Sequence, residues 1–422
     1  MREVARSLKK LLHRIAYGGL GVVGALLLSR AASLTSQWIL SGVVGTSAVT
    51  AYVLTTTHAS TVVALVAVGL AASLANRARL LGQPRGRAAV AGALAVLGAV
   101  AGALTAALDL ASGLGPVAAL SAAAFAFCSL LACANPVVWP IWQARGRFLL
   151  LVSITAAISV GLCFGAALLG MPRLSAVLVG AGVAVPVVAM VGRVQIRRAI
   201  RMAFLLVRHA VWPSLVNLST VAVYPLALHK AIPLLGESRV GTQVLCWSIM
   251  PLLTTASQSF ATRALTSGAL SGAGSEAERR AKALSTWVRT VPFTLSIGVA
   301  IYLLFVVHVP LLPFTGSARD DLPSTFLVSV VVPAISDPLC FYFAKSHRSR
   351  SLVIGSVLSS ALVAAALLLW PAGVLDRLGV LGPSAIVAVL RMAFLFDAPA
   401  LRRVAYAALG LLLLGYAASF LL

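Results

Sequence analysis

The sequence predicts an all-α polytopic membrane protein: two six-helix bundles related by a pseudo-twofold axis along the membrane normal, followed by a thirteenth helix. Three observations predict it. The 422 residues are 60% hydrophobic and only 10% charged, where a soluble domain carries about 25% charge. Apolar runs recur along the whole chain, many of them long enough for a bilayer core, which takes roughly 20 residues. Two stretches also repeat at nearly constant spacing.

Hydropathy places thirteen spans at 15–40, 47–75, 88–112, 115–142, 148–170, 174–192, 209–230, 240–262, 287–312, 323–344, 351–371, 378–396 and 404–422. The first follows a basic start, as a signal peptide does. Arg30 interrupts the region where cleavage would fall and apolar character continues past it, so this is read as an uncleaved span. The second opens near Gly45 and carries a polar run from Thr55 to Thr61 around His58. Pro136 and Pro140 weaken the fourth. The basic stretch Arg193 to Arg208 reads as an amphipathic surface linker before span seven, which holds Asn217, Ser219 and Thr220. Span ten holds Pro333 and the pair Asp337-Pro338, and span twelve holds Arg391.

Charge tests this layout. The net charge is +23, from 33 Lys+Arg against 10 Asp+Glu. With a cytoplasmic N-terminus, 26 of the basic residues fall in inside segments, five in outside loops, and Arg30 and Arg391 within spans. Such a split is what the positive-inside rule requires. It spreads the charge over seven short segments facing anionic lipid. Nucleic acid would demand one concentrated basic face with interleaved aromatics, so it is not an expected partner.

The repeat appears at the start of spans two and eight. Gly45, Ser47, Val49, Val53 and Leu54 match Gly236, Ser238, Val240, Val244 and Leu245, each 191 positions on. A second echo pairs Asn135-Pro136 and Arg145–Arg147 with Asp337-Pro338 and Arg348–Arg350. Six spans separate the halves, an even number, so the repeats share one orientation. The expected bundles are residues 1–195 and 196–398, with 399–422 as an additional transmembrane helix.

Few residues within the spans carry chemistry. Arg30 sits near the centre of span one with no acidic residue on its own helix. A charge at that depth costs about 2.5–3.5 kcal/mol on insertion scales, so it faces either interhelical carbonyls or a hydrated cavity. In a cavity its planar fork suits a phosphate group. Arg391 lies within about two turns of the cytoplasmic end of span twelve, where it either snorkels to the interface or joins Arg30 as a substrate ligand. His58 and Asn217 are further substrate-binding candidates, their alternative being hydrogen bonds that glue helices together. Asp337, flanked by prolines that open its helix, is the candidate ion-coupling carboxylate, or else a kink residue satisfied by local backbone. Asp109 at the outer end of span three, and His229-Lys230 at the outer end of span seven, read as interfacial.

Other chemistry is unsupported by the sequence. The five cysteines lie in apolar segments without metal-ligand spacing, so no disulfide, metal or cofactor is expected. There is no phosphate-binding glycine loop. The adjacent acids Asp320-Asp321 sit in a short outer loop without a nearby histidine, which makes a membrane enzyme of surface-polysaccharide assembly a weaker alternative.

Several short motifs together resemble the polysaccharide and lipid-linked oligosaccharide flippases of the MATE-like (MOP) exporter superfamily. They are Gly45 followed by Tyr52, Gly69-Leu70 with Arg85-Gly-Arg87, Gln143 to Arg147, Leu311 to Gly316 and Leu378 to Ile386, over about residues 1–398. The resemblance implies two bundles facing a central cavity and a flippase working by alternating access in a bacterial cytoplasmic membrane. It implies a lipid-linked saccharide as substrate, and glycosyltransferases or a polymerase of the same pathway as partners beside membrane lipids. Span one lacks the acidic residue of drug-exporting relatives, so cation-coupled export of small molecules is the alternative.

Overall fold

The computed structural model describes residues 19–65, 83–133, 148–189, 195–248 and 350–393, with single positions at 70, 135, 296, 329, 406 and 410. Among these residues all regular structure is helical. The helices are α1 Gly19–Val43, α2 Thr46–Ala64, α3 Pro84–Ala111, α4 Pro116–Ala132, α5 Phe148–Leu168 and α6 Pro172–Val188. After them come α7 Ile196–Leu235, α8 Glu237–Trp247, α9 Arg350–Leu369, α10 Ala372–Leu378 and α11 Gly382–Ala393. Arg85–Ala111, Leu151–Leu168 and Leu352–Leu369 are each long and apolar enough to cross a membrane. The chain is an all-α, multi-pass membrane protein.

Local sequence sets the helix starts. Proline occupies the first turn of α3, α4 and α6, where its missing N–H would be unpaired anyway and its fixed φ suits a helix. Gly45 and Gly236, the repeated glycines, precede α2 and α8 with φ of 117° and 85°. Both are conformations that a side chain strains, so the echo in sequence is an echo in backbone geometry.

Two expectations are corrected. The linker and span seven are one helix: α7 runs 40 residues without a break. A straight helix of that length spans about 60 Å, twice a bilayer core of about 30 Å. The surplus falls on its first third, where Arg197, Arg198, Arg201 and Arg208 are exposed and Ala199, Ala203 and Leu206 are buried. Span twelve also starts differently, because α10 and α11 meet at a 72° bend. Gly379 there has φ 66° and ends α10.

The chain divides into two compact units, residues 1–39 with 55–211, and residues 40–54 with 212–422. In the first unit Ala59 and Val62 of α2, Leu94 of α3, Leu130 of α4 and Leu206 of α7 share one buried cluster. Alanines recur beside them at Ala93, Ala101 and Ala126. Small side chains let helix backbones approach where lipid supplies no hydrophobic drive. In the second unit Val223 of α7, Val363 of α9 and Val387 of α11 meet in a smaller cluster.

Candidate functional site

The two echo segments meet inside the second unit. Thr46 Oγ1 lies 2.8 Å from Ser238 Oγ, and Thr50 Oγ1 donates to the carbonyl of Glu237 at 2.8 Å. Gly241 lies so close to α2 that a Cβ built on it would stand 2.1 Å from the Thr46 carbonyl oxygen. The 191-residue offset makes Glu237 the counterpart of Thr46, and Gly241 the counterpart of Thr50. Thr50 thus rests on the counterpart of Thr46, and Thr46 on the counterpart of Thr50. A reciprocal pairing of this kind is the mark of a twofold contact.

The far side of α8 holds a corner of the same unit. Gln243 is fully buried, and its Oε1 accepts from the Val380 N–H at the α10–α11 bend, 3.3 Å away. Arg239 Nη2 lies 3.0 Å from each carboxylate oxygen of Asp376. Both groups are about one-third exposed, so the pair is worth at most about 1 kcal/mol. Lys230 donates to the carbonyls of Leu367 at 2.5 Å and Leu368 at 2.7 Å. It thereby places a cation where the last carbonyls of α9 lack helical partners. Lys230 therefore caps α9 from the end of α7.

Below that corner lies a polar layer. The α7 and α9 helices run in parallel, with Lys230 level with Leu367 and Val223 level with Val363. The α11 helix starts at the end where those two finish and runs back. One turn in from the valine cluster, three helices bring polar residues to one level: Ser219, Ser359 with Ser360, and Arg391. Ser360 Oγ donates to the Ser219 carbonyl at 2.5 Å. Arg391 is 2% exposed, so it does not snorkel to an interface. Ser356 and Ser359 are 0% and 2% exposed, and their hydroxyls have no hydrogen-bond partner among the described residues. Leaving such a group unpaired typically costs about 1–3 kcal/mol.

The first unit holds a different arrangement. His58 Nδ1 lies 2.7 Å from Asp109 Oδ1, with side chains 12% and 5% exposed. Asp109 is thus a buried ion-pair partner, not an interfacial residue. Elsewhere in that unit a cavity of about 360 Å³, its mouth included, is lined by Ala32, Asn135, Thr155, Ser159 and Pro186 among others. Asn135 Nδ2 donates to the Val183 carbonyl at 2.8 Å. Pro186 supplies no N–H to the neighbouring carbonyl of Gly182. The Oδ1 of Asn135, 3% exposed, is unpaired among the described residues.

Of the residues singled out from sequence, Arg391 is therefore buried and His58 half-buried among helices, in different units. Arg30 lies in α1 and Asn217 in α7, and the side chains of both lie outside the described part of the structure. Asp337, Asp320, Asp321 and the span 404–422, apart from positions 406 and 410, lie outside it as well. Sequence reasoning missed the partnership of His58 with Asp109, 51 positions apart. Its one signal was that each is a rare ionisable residue in an apolar helix. It also passed over Gly241, whose signal was its alignment with Thr50 in the repeat.

No protein-family model matches the sequence, and no curated protein sequence matches it. Solved structures do match in fold. The eukaryotic MATE transporter AtDTX14 is 16% identical with a TM-score of 0.54, the match covering 95% of this chain and 99% of that one. An inward-facing multidrug resistance MATE family transporter of the MOP superfamily is 16% identical with a TM-score of 0.50, covering 90% and 95%. A MOP superfamily transporter from Pyrococcus furiosus, described as having a binding pocket whose reversed polarity suggests a different function, is 14% identical with a TM-score of 0.51, covering 96% of each chain. The chain has the fold of the MATE-type transporters of the MOP superfamily.

Proposed function

We propose that this protein is a transporter that flips an anionic lipid-linked oligosaccharide or polysaccharide precursor across the cytoplasmic membrane by alternating access. The observation that carries the reading is Arg391, 2% exposed on a level with buried serines. A guanidinium at the level of serine hydroxyls suits a pyrophosphate ester, which offers oxygens and no donors. Cationic drugs would instead call for buried carboxylates. The one buried carboxylate among the described residues, Asp109, is engaged by His58. The archaeal neighbour, described as having a binding pocket of reversed polarity that suggests a different function, is in keeping with a substrate other than that of the multidrug transporters.

In this reading Arg30 is a further substrate-binding cation, and Asp337 is the ion-coupling carboxylate. His58 would not bind sugar, since its Nδ1 is committed to Asp109; Asn217 remains a candidate for a sugar hydroxyl. Residues 1–195 and 196–398 act as two six-helix bundles, with 399–422 appended. The α2–α8 contact closes the outer side. Glycosyltransferases or a polymerase would supply and consume the substrate at opposite faces.

The test is flipping of an undecaprenyl-diphosphate-linked saccharide in proteoliposomes. Wild type should flip it, Arg391→Ala should lose most of that activity, and Arg391→Lys should keep part. Undiminished flipping by Arg391→Ala and Arg30→Ala would refute the assignment. Export of cationic dyes without any flipping would favour the drug-exporter alternative.

A further inference from the structure

The first third of α7 has three faces of different character. Ala199, Ala203 and Leu206 are buried, the last two in the core cluster of the first unit. Ile196, Ile200 and Phe204 are 71%, 54% and 70% exposed. Arg197, Arg201 and Arg208 are exposed as well, and so is Arg198. At 3.6 residues per turn these sets fall on adjacent faces. The apolar stripe lies about 90° round the helix from the buried face, and the Arg197–Arg201–Arg208 stripe about 80° beyond it. The two exposed stripes therefore run side by side over the same turns. The chain offers these arginines little by way of a counter-ion. No acidic residue stands between Asp109 and Glu237, and Asp109, the one acid of residues 55–211, is held by His58.

We propose that this segment of α7 is a docking site for anionic phospholipid, with Ile196, Ile200 and Phe204 among the acyl chains and Arg197, Arg201 and Arg208 on head-group phosphates. Arginines alone would make an ordinary solvated face. A contiguous stripe of large apolar side chains is what such a face lacks, and it marks a surface for another apolar phase. The combination is that of an interfacial helix, whose apolar face enters the acyl boundary while its cations reach head-group level. A guanidinium takes a phosphate through two parallel hydrogen bonds, which a zwitterionic head group offers beside a competing cation and an anionic one offers freely. The helix continues without a break to Leu235, through the stretch expected to cross the bilayer, so the site is tethered to the membrane by its own backbone. Phospholipid answers both stripes at once, an acyl chain for one and a phosphate for the other. The site does not depend on what the protein transports.

The test uses the full chain in phosphatidylcholine vesicles, with native cysteines replaced and a fluorophore on Ile200→Cys. Nitroxide-labelled phosphatidylglycerol or nitroxide-labelled phosphatidylcholine is titrated in, and quenching gives the relative affinity of the two lipids at that position. Leu362→Cys, at a residue 63% exposed on the apolar helix α9, supplies the baseline away from the arginines. Each basic residue near an anionic surface gains roughly fivefold in affinity. Phosphatidylglycerol should therefore quench at position 200 with at least about fivefold higher apparent affinity than phosphatidylcholine, against no preference at position 362. Arg197→Gln, Arg201→Gln and Arg208→Gln together should remove the preference but not the quenching, whereas lysine at the three positions should keep part of it. Equal quenching by the two lipids at position 200 overturns the proposal. So does quenching by neither, which would place the segment in water, or a preference that survives the triple glutamine variant. The comparison of lipids on the unsubstituted arginines decides the matter even where a triple variant fails to fold.

Discussion

Gly241→Ala is the sharpest perturbation the structure offers. The added Cβ would stand 2.1 Å from the Thr46 carbonyl oxygen, 2.8 Å from its carbon and 3.0 Å from Thr50 Oγ1. Ordinary contact begins at 3.4 Å, so α2 and α8 must separate by about 1.3 Å. The blocking atom is backbone and cannot rotate away. Thr50→Ala therefore does not relieve the clash. Alanine within a helix is otherwise better than glycine by about 0.8–1 kcal/mol, while overpacking costs typically about 1–3 kcal/mol. The helix-propensity gain is the same with the contact closed or open and cancels, so the overpacking term of about 1–3 kcal/mol falls on the closed contact alone. That shifts the closed-to-open ratio by at least roughly 5-fold, and by roughly 150-fold at the upper end. Thr46→Cys with Ser238→Cys reports the closed state, since the two oxygens they replace are 2.8 Å apart. Oxidative cross-linking should be fast in the glycine background and slowed at least fivefold with Gly241→Ala. Equal rates in the two backgrounds would show that α2 and α8 do not pack this way.

Other outcomes follow from the charges. A cytoplasmic N-terminus puts Gly86 and Arg280 inside, so cysteines placed there in a cysteine-free background should resist an impermeant label applied to intact cells; strong labelling at either overturns the topology. Lys230→Met removes two charge-assisted hydrogen bonds to the end of α9 and should cost about 1.5–3 kcal/mol in detergent unfolding, with Lys230→Arg recovering part; an unchanged midpoint contradicts the capping role.

The helix ladder was legible because bilayer length and apolar composition are properties of single segments. Spans one to six of the sequence reading correspond to α1 through α6, and the far ends of spans two and four, past Leu65 and Cys133, lie outside the described residues apart from positions 70 and 135. The start of span eight was legible for a different reason: a glycine at positive φ is a local demand, and Gly45 and Gly236 announced themselves as a pair. The continuous α7 was hidden because Arg193 to Arg208 looks like a break on a hydropathy scale, although arginine is a good helix former. The α10–α11 bend was hidden by its own apolar character. Pairings were the least legible. Asp109 two residues from the end of α3 looked interfacial, because sequence position gives depth along one helix and not which neighbour overtops it. His58 lies four residues past the point where α2 leaves the second unit, and only tertiary packing brings that turn to Asp109.

In the proposed mechanism the buried Arg391, together with Arg30, carries an anionic lipid-linked substrate across the membrane. Its most direct test is the rate at which purified protein, in vesicles of otherwise neutral lipid, transfers an undecaprenyl-diphosphate-linked saccharide from one leaflet to the other. Transfer should run well above that of protein-free vesicles, fall at least tenfold in Arg391→Ala, and be partly retained in Arg391→Lys. Transfer that Arg391→Ala and Arg30→Ala leave at the wild-type rate, or wild-type vesicles no faster than empty ones, would contradict it.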